Sequence, residues 1–120
     1  MRFLQRRGAK MNERMTLTQQ ILERLRPLEP DQVILFGSHA WGTPGEESDV
    51  DIYVVTKDDF IPKDFEQKKQ LRLKVARAIR DLQKTTPIDV ITHTRAMHKK
   101  FIENDSGFCR AIMQNGVRLL

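Results

Sequence analysis

Cysteine is almost absent from this 120-residue chain: Cys109 stands alone, so no internal disulfide can form and no redox chemistry is implied. It falls in an apolar helical pattern, where a small buried hydrophobe is its expected role. Long apolar runs are also missing. None approaches the roughly 20 residues that span a bilayer, so no membrane role is expected. The first ten residues, MRFLQRRGAK, are basic but lack the apolar stretch of about 7–15 residues that a secretory signal needs, which points to the cytoplasm. The three histidines, His39, His93 and His98, have no spacing with one another or with cysteine that makes a zinc site, and surface or packing roles are expected for them. What remains is 39% hydrophobic and 31% charged, with a mean hydropathy of −0.52. That composition supports one modest core in one globular domain and is too small for two.

Acidic residues are in deficit, and the formal net charge is +5 with a pI near 9.7, which invites a nucleic-acid reading until the charge is located. Residues 1–14 carry Arg2, Arg6, Arg7, Lys10 and Arg14 against Glu13, leaving only +1 for the rest of the chain. The excess therefore belongs to a basic N-terminal arm, residues 1–14, ahead of a single domain over residues 15–120. Nucleic acid is not the expected partner.

No repeat, low-complexity tract or linker interrupts the domain, in which helical and strand patterns alternate. Thr16-Leu-Thr-Gln19 fits a capping box, and Leu17, Ile21, Leu22, Leu25 and Leu28 continue a helical stripe that Pro27 and Pro30 end. Val33-Ile-Leu-Phe36 reads as a short buried strand, and Ser38 to Trp41 as a brief helical turn before a loop rich in Gly, Pro and Glu. Asp49-Val-Asp-Ile-Tyr-Val-Val55 is a second, β-branched strand. After Pro62, Leu71, Val75, Ala78, Ile79 and Leu82 recur at helical spacing, with Lys and Arg on the other face, where they are expected to solvate the helix. Thr85-Thr-Pro87 breaks that helix and Ile88-Asp-Val-Ile91 reads as a third strand. Helical stretches at roughly 94–103 and 106–115 follow, with Gly116 as a C-terminal cap. The fold class is α+β (α/β-like): a small three-stranded mixed sheet packed with about four to five helices.

The chemistry concentrates in Phe36-Gly-Ser-His-Ala-Trp-Gly-Thr-Pro-Gly-Glu-Glu-Ser-Asp-Val-Asp51. Alternation along a strand puts Asp49 and Asp51 on one side, with Cα atoms about 6–7 Å apart. Two such carboxylates repel each other, and they suit a hard cation such as Mg²⁺ when substrate phosphates complete its shell. The acids precede the apolar run, unlike the Asp-x-Asp of haloacid-dehalogenase phosphatases, and no EF-hand ligand series follows them. Gly37 permits φ > 0 or a close approach, and the turn's N–H groups with the Ser38 hydroxyl suit phosphate oxygens. No Gly-x-Ser-x-Gly elbow supports serine hydrolysis. Asp89, among Ile88, Val90 and Ile91, completes an acidic cluster if its strand lies beside the second strand; otherwise it is a solvent-facing edge residue. Trp41 could stack on a base or pack under the loop, and His39 lies closest to this turn.

Gly37-Ser38, ten residues, then Asp49-Val-Asp51 resembles the signature of the polymerase β-like nucleotidyltransferase superfamily, and the chain's size resembles its minimal nucleotidyltransferase branch, over residues of about 16–120. The resemblance implies that Gly37 and Ser38 hold the triphosphate, with Ser48 touching phosphate beside them. It implies that Asp49, Asp51 and Asp89 hold two Mg²⁺ ions, Asp89 also preparing the acceptor. It further implies AMP transfer from ATP to a hydroxyl, tyrosine by expectation, on a helical HEPN-type partner protein, as in toxin–antitoxin pairs. The alternatives are a non-catalytic module that neutralises such a partner, or a small nucleic-acid-binding protein. A homo-oligomer is compatible with all three.

Overall fold

The computed structural model describes residues 16–41 and 49–120. The basic arm, its boundary with the domain, and Ser48 lie outside the described residues, as does the side chain of Trp41. Helix α1, Leu17–Leu25, starts on the expected capping box: the Gln19 backbone N–H donates to the Thr16 hydroxyl (3.2 Å), and the Thr16 N–H donates to Gln19 Oε1 (2.9 Å). It buries Ile21 and Leu25 and passes into a 3₁₀ turn, Arg26–Leu28, that contains Pro27; Glu29, at φ 53°, reverses the chain. Strand β1, Gln32–Phe36, leads through the single-turn α2, Ser38–Trp41, to β2, Val50–Val55.

Helix α3, Phe65–Ala78, is capped by Asp64, which accepts from the Gln67 N–H (2.9 Å). The chain breaks at Ile79 (φ −112°) and resumes as α4, Arg80–Gln83. Leu71, Val75, Ile79 and Leu82 are buried along this pair, as their spacing predicts. Strand β3, Ile88–His93, is followed by α5, Arg95–Asn104, and α6, Gly107–Asn115. The described residues thus hold six helices, more than the four to five expected, because the break at Ile79 divides one long stripe.

The sheet is mixed and four-stranded, in the order β3-β2-β1-β4, where β4 is Val117–Arg118. Strand β1 runs antiparallel to β2 and β4, and β2 runs parallel to β3. The fourth strand is an addition to the three expected; two residues carry no periodicity for a sequence pattern to show. It is held because the following Leu119 N–H donates to the Val33 carbonyl (2.7 Å) and Val33 donates in turn to Leu120 (3.2 Å). Gly116 does end α6, donating to the Ile112 carbonyl (3.0 Å), but in an extended rather than left-handed conformation. Its requirement is space. A Cβ there would lie 2.4 Å from the Ile112 carbonyl oxygen and 2.6 Å from Ile34 Cγ2.

Strand alternation divides the core into two layers. Helices α1, α3 and α4 pack on the face formed by Val33, Leu35, Val50, Ile52, Val54 and Ile88. On the other face Ile34, Phe36, Tyr53 and Val55 meet Ile112, Phe101 and Met113 of α5 and α6. Asp51 and Asp89, by the same alternation, belong to this second face. No helix among the described residues is long and apolar enough to cross a membrane.

Candidate active site

The site forms where three chain segments meet at one end of the sheet. Strand register places Asp51 opposite Phe36 of β1 on one side and opposite Asp89 of β3 on the other. Asp49 sits one residue before β2, fully outside the ladder and exposed, while Val50 is buried against the core. Asp51 is half-buried and Asp89 is exposed. Strand β3 is an edge strand, so Asp89 combines both alternatives posed for it: it faces solvent and it completes the acidic group.

The electrostatics follow from this crowding. Burial pushes the Asp51 carboxyl above its ordinary range and the charge of Asp49 adds to the effect, while nearby His39 offsets part of it. Asp89 is raised as well, first by a hydrogen bond with Asp49, then by desolvation and the charges of Asp49 and Asp51. The ion pairs among the described residues employ other acids, such as Asp31, Asp58 and Asp81. Among the described residues no Lys or Arg forms an ion pair with these three carboxylates; His39 acts on Asp51, and Asp49 and Asp89 share a hydrogen bond.

Gly37 brings β1 into direct contact with this group. Its φ is +77°, the left-handed conformation its type permits, and a Cβ at this position would lie 2.3 Å from Asp51 Oδ2. The glycine is thus needed twice, for its backbone angle and for the room it leaves the carboxylate. Ser38 then begins α2, and the turn closes through the Ala40 N–H donating to the Gly37 carbonyl (3.0 Å). Ser38 and His39 are both half-buried beside the acids.

Magnesium fits this donor set by its chemistry: hard carboxylate oxygens drawn together at one end of the sheet. Among the described residues no three His, Cys, Asp or Glu side chains are gathered tightly enough to hold an ion unaided. A cation here would share ligands from water and phosphate with the Asp49–Asp89 pair and neighbouring Asp51, the arrangement Mg²⁺ favours.

One feature of this face escaped the sequence. Tyr53, the next residue after Asp51 to point the same way, is completely buried, and its hydroxyl lies 2.9 Å from His93 Nδ1 and 2.7 Å from His98 Nδ1. Gln32 Nε2 approaches His98 Nε2 (3.3 Å). An amide NH₂ can only donate, so His98 accepts at Nε2 and donates from Nδ1 to the Tyr53 oxygen, which donates onward to His93 Nδ1. Both imidazoles are neutral in this chain of bonds, and burial lowers the pKa of each. Phe101 stacks on Tyr53 with ring centroids 5.3 Å apart. His93 and His98 are packing residues, as their lack of ligand spacing predicts, but their convergence on one tyrosine depends on β2–β3 pairing and on α5.

Residues 17–120 match the family model described as polymerase beta, nucleotidyltransferase. Solved structures of similar fold include a toxin–antitoxin complex with AMP-PNP, at 22% identity and a TM-score of 0.55, covering 88% of this chain and 73% of that chain. Two mutant forms of the toxin–antitoxin complex MntA–HpeT align over the same shares, at 19% and 23% identity with TM-scores of 0.52 and 0.51. At these identities the likeness shows the fold. No curated protein matches the chain significantly.

Proposed function

Because the chain belongs to the polymerase β nucleotidyltransferase family, we propose that it transfers AMP from ATP to a hydroxyl on a HEPN-type partner protein, acting as the antitoxin of a toxin–antitoxin pair. The observation that carries this is the contact of Gly37 with Asp51 and the register of Asp51 with Asp89: a glycine turn, an acid pair and a third acid share one sheet end. The choice of ATP draws on the structural neighbour solved with AMP-PNP, and the partner on neighbours solved as toxin–antitoxin complexes.

In this proposal the N–H groups of the Gly37–Ser38 turn and the Ser38 hydroxyl hold triphosphate oxygens, and Ser48 adds a further phosphate contact. Asp49, Asp51 and Asp89 would hold two Mg²⁺ ions, which when bound neutralise the triphosphate and lower the pKa of the acceptor hydroxyl. Asp89 receives the acceptor's proton. The acceptor oxygen then bonds to the α-phosphorus while the bond to the β-phosphate breaks and pyrophosphate leaves.

The acceptor belongs to another molecule if it is a tyrosine. The chain's sole tyrosine is Tyr53, which is fully buried and hydrogen-bonded on both sides. The test is incubation with Mg²⁺, the cognate HEPN-type protein and ATP labelled at the α- or the γ-phosphate. Label passing to the partner from the α position alone is expected. Passage from the γ position means a kinase, and a stable complex without transfer means a neutralising module; either result overturns the proposal.

A further inference from the structure

We propose that the outer side of α3 and α4 binds the backbone of a single-stranded nucleic acid, with a base stacked on Phe65. The structure revises where the positive charge lies. Residues 63–84 hold eight Lys or Arg against three acids, whereas residues 15–62 hold three against nine. The near-neutral domain is in fact polarised, with its second basic centre on one helix rather than in the arm.

Two of the charges in this segment are engaged: Lys74 reaches Asp58 (3.1 Å) and Asp81 is held by Arg24 (2.8 Å). Lys68, Lys69, Arg72, Arg77 and Arg80 are exposed, and none makes an ion pair among the described residues. The arrangement works against the helix itself. Lys68 and Arg72 are like charges at i, i+4, and Lys68 and Lys69 lie near the N-terminal, positive end of the helix dipole. A helix shaped for stability alone would interleave acids here.

An aromatic ring completes the surface. Phe65, the first residue of α3, is 71% exposed. Phe65, Lys69, Arg72 and half-buried Ala76 recur at steps of four, three and four, one stripe about a third of a turn round the helix from buried Leu71 and Val75. Lys68 flanks the stripe, and exposed Arg80 follows beyond the break at Ile79. At about 1.5 Å per residue the distance along α3 from Phe65 to Arg77 is roughly 18 Å, room for about three successive phosphates. Cations that track a backbone beside an exposed ring for a base form a single-strand platform. Helices α3 and α4 cover the face of the sheet opposite to Asp51 and Asp89. Bound nucleic acid therefore leaves the transfer site open, and the inference is independent of the transferase proposal.

The test uses the full chain and fluorescence anisotropy of 5′-fluorescein 20-mers of oligouridylate and oligothymidylate, whose two arms distinguish RNA from DNA. Three neutralised phosphates give a slope of log K against log salt of about −2, so affinity should fall about twentyfold between 50 and 200 mM KCl. K68Q/K69Q/R72Q should weaken binding at least tenfold at 50 mM KCl and flatten the slope. F65A should weaken it by about 5- to 100-fold with the slope kept. The arm variant R2Q/R6Q/R7Q should bind as wild type, and D51N, which removes transfer, should bind equally well. Four outcomes overturn the inference: no binding at 50 mM KCl, loss with the arm variant but not the helix variant, wild-type binding by F65A, or preferential binding of fluorescein-labelled polyglutamate.

Discussion

Replacing Gly37 with alanine separates the stability of this fold from its chemistry. The new methyl group meets two costs. At φ +77° an L-residue is strained by about 1–2 kcal/mol relative to glycine. The added Cβ also falls 2.3 Å from Asp51 Oδ2 and 3.2 Å from its Cγ, so the carboxylate must swing away. Because Asp51 is short and half-buried, that motion is small in energy but displaces an oxygen by an ångström or more. A displacement of that size at a reacting centre costs on the order of a hundredfold in rate. The variant should therefore melt roughly 4–8 °C below wild type, remain folded at 25 °C, and lose at least a hundredfold in α-label transfer. Urea melts of wild type, Gly37→Ala, Asp51→Ala and the double variant isolate the contact. The alanine at 37 should cost less once the Asp51 carboxylate is gone, with the backbone strain remaining. An equal cost in both backgrounds, or transfer within threefold of wild type, would refute the contact on which the site is built.

Asp51→Asn should abolish transfer while raising stability in magnesium-free buffer, since it removes a repulsion of about 0.5–1 kcal/mol with Asp49; differential scanning fluorimetry with EDTA reads the sign. Asp89→Ala should eliminate transfer and leave ATP affinity within about threefold, by isothermal titration calorimetry; near-normal turnover would remove Asp89 from the mechanism. The His93 and His98 pKa values are lowered in the folded chain, so the unfolded state binds more protons as pH falls below about 6.5. Their contribution is fully present above that value and is lost as pH drops through the folded pKa values, so the melting temperature should fall between pH 7.5 and 5.5. A His93→Asn, His98→Asn variant should flatten that dependence, and an unchanged slope would show that other groups cause it.

The parts of the site legible in the sequence are those set by local chemistry. The Thr16 box, the Gly37 turn and the Leu71–Leu82 stripe all depend on residues close together in the chain, whereas Asp49, expected inside the second strand, lies just before it. What the sequence hid depends on pairing. Asp89 could only be placed conditionally, because its meeting with Asp49 requires the parallel β2–β3 register. The Tyr53 network needs residues 32, 53, 93 and 98 from three strands and a helix. Gly116 carried the right residue for another reason, since its crowding comes from Ile34 on a distant strand. The charge of α3 was visible in composition, but its lack of acidic partners was not, because ion pairs such as Lys74–Asp58 form across the fold.

The contrast between the proposed catalytic acids and the remaining acids explains how such a cluster persists. Asp31, Asp58 and Asp81 have carboxyls held below their ordinary range, by Arg95, Lys74 and Arg24 hydrogen bonds. Asp51 and Asp89 are pushed the other way, Asp51 by burial and the charge of Asp49 with only a partial offset from His39, and Asp89 by its hydrogen bond with Asp49. Their positions are set instead by backbone ladders: Asp51 lies between two strands and Asp89 lies in the adjoining one, each flanked by buried residues such as Ile52 and Ile88. Moving the backbones of these residues apart would break strand hydrogen bonds and expose that core, which costs more than the repulsion among solvent-facing carboxylates. The sheet thus holds negative charge at one end, and under the proposed function ligand binding, rather than an internal salt bridge, supplies the counter-charge.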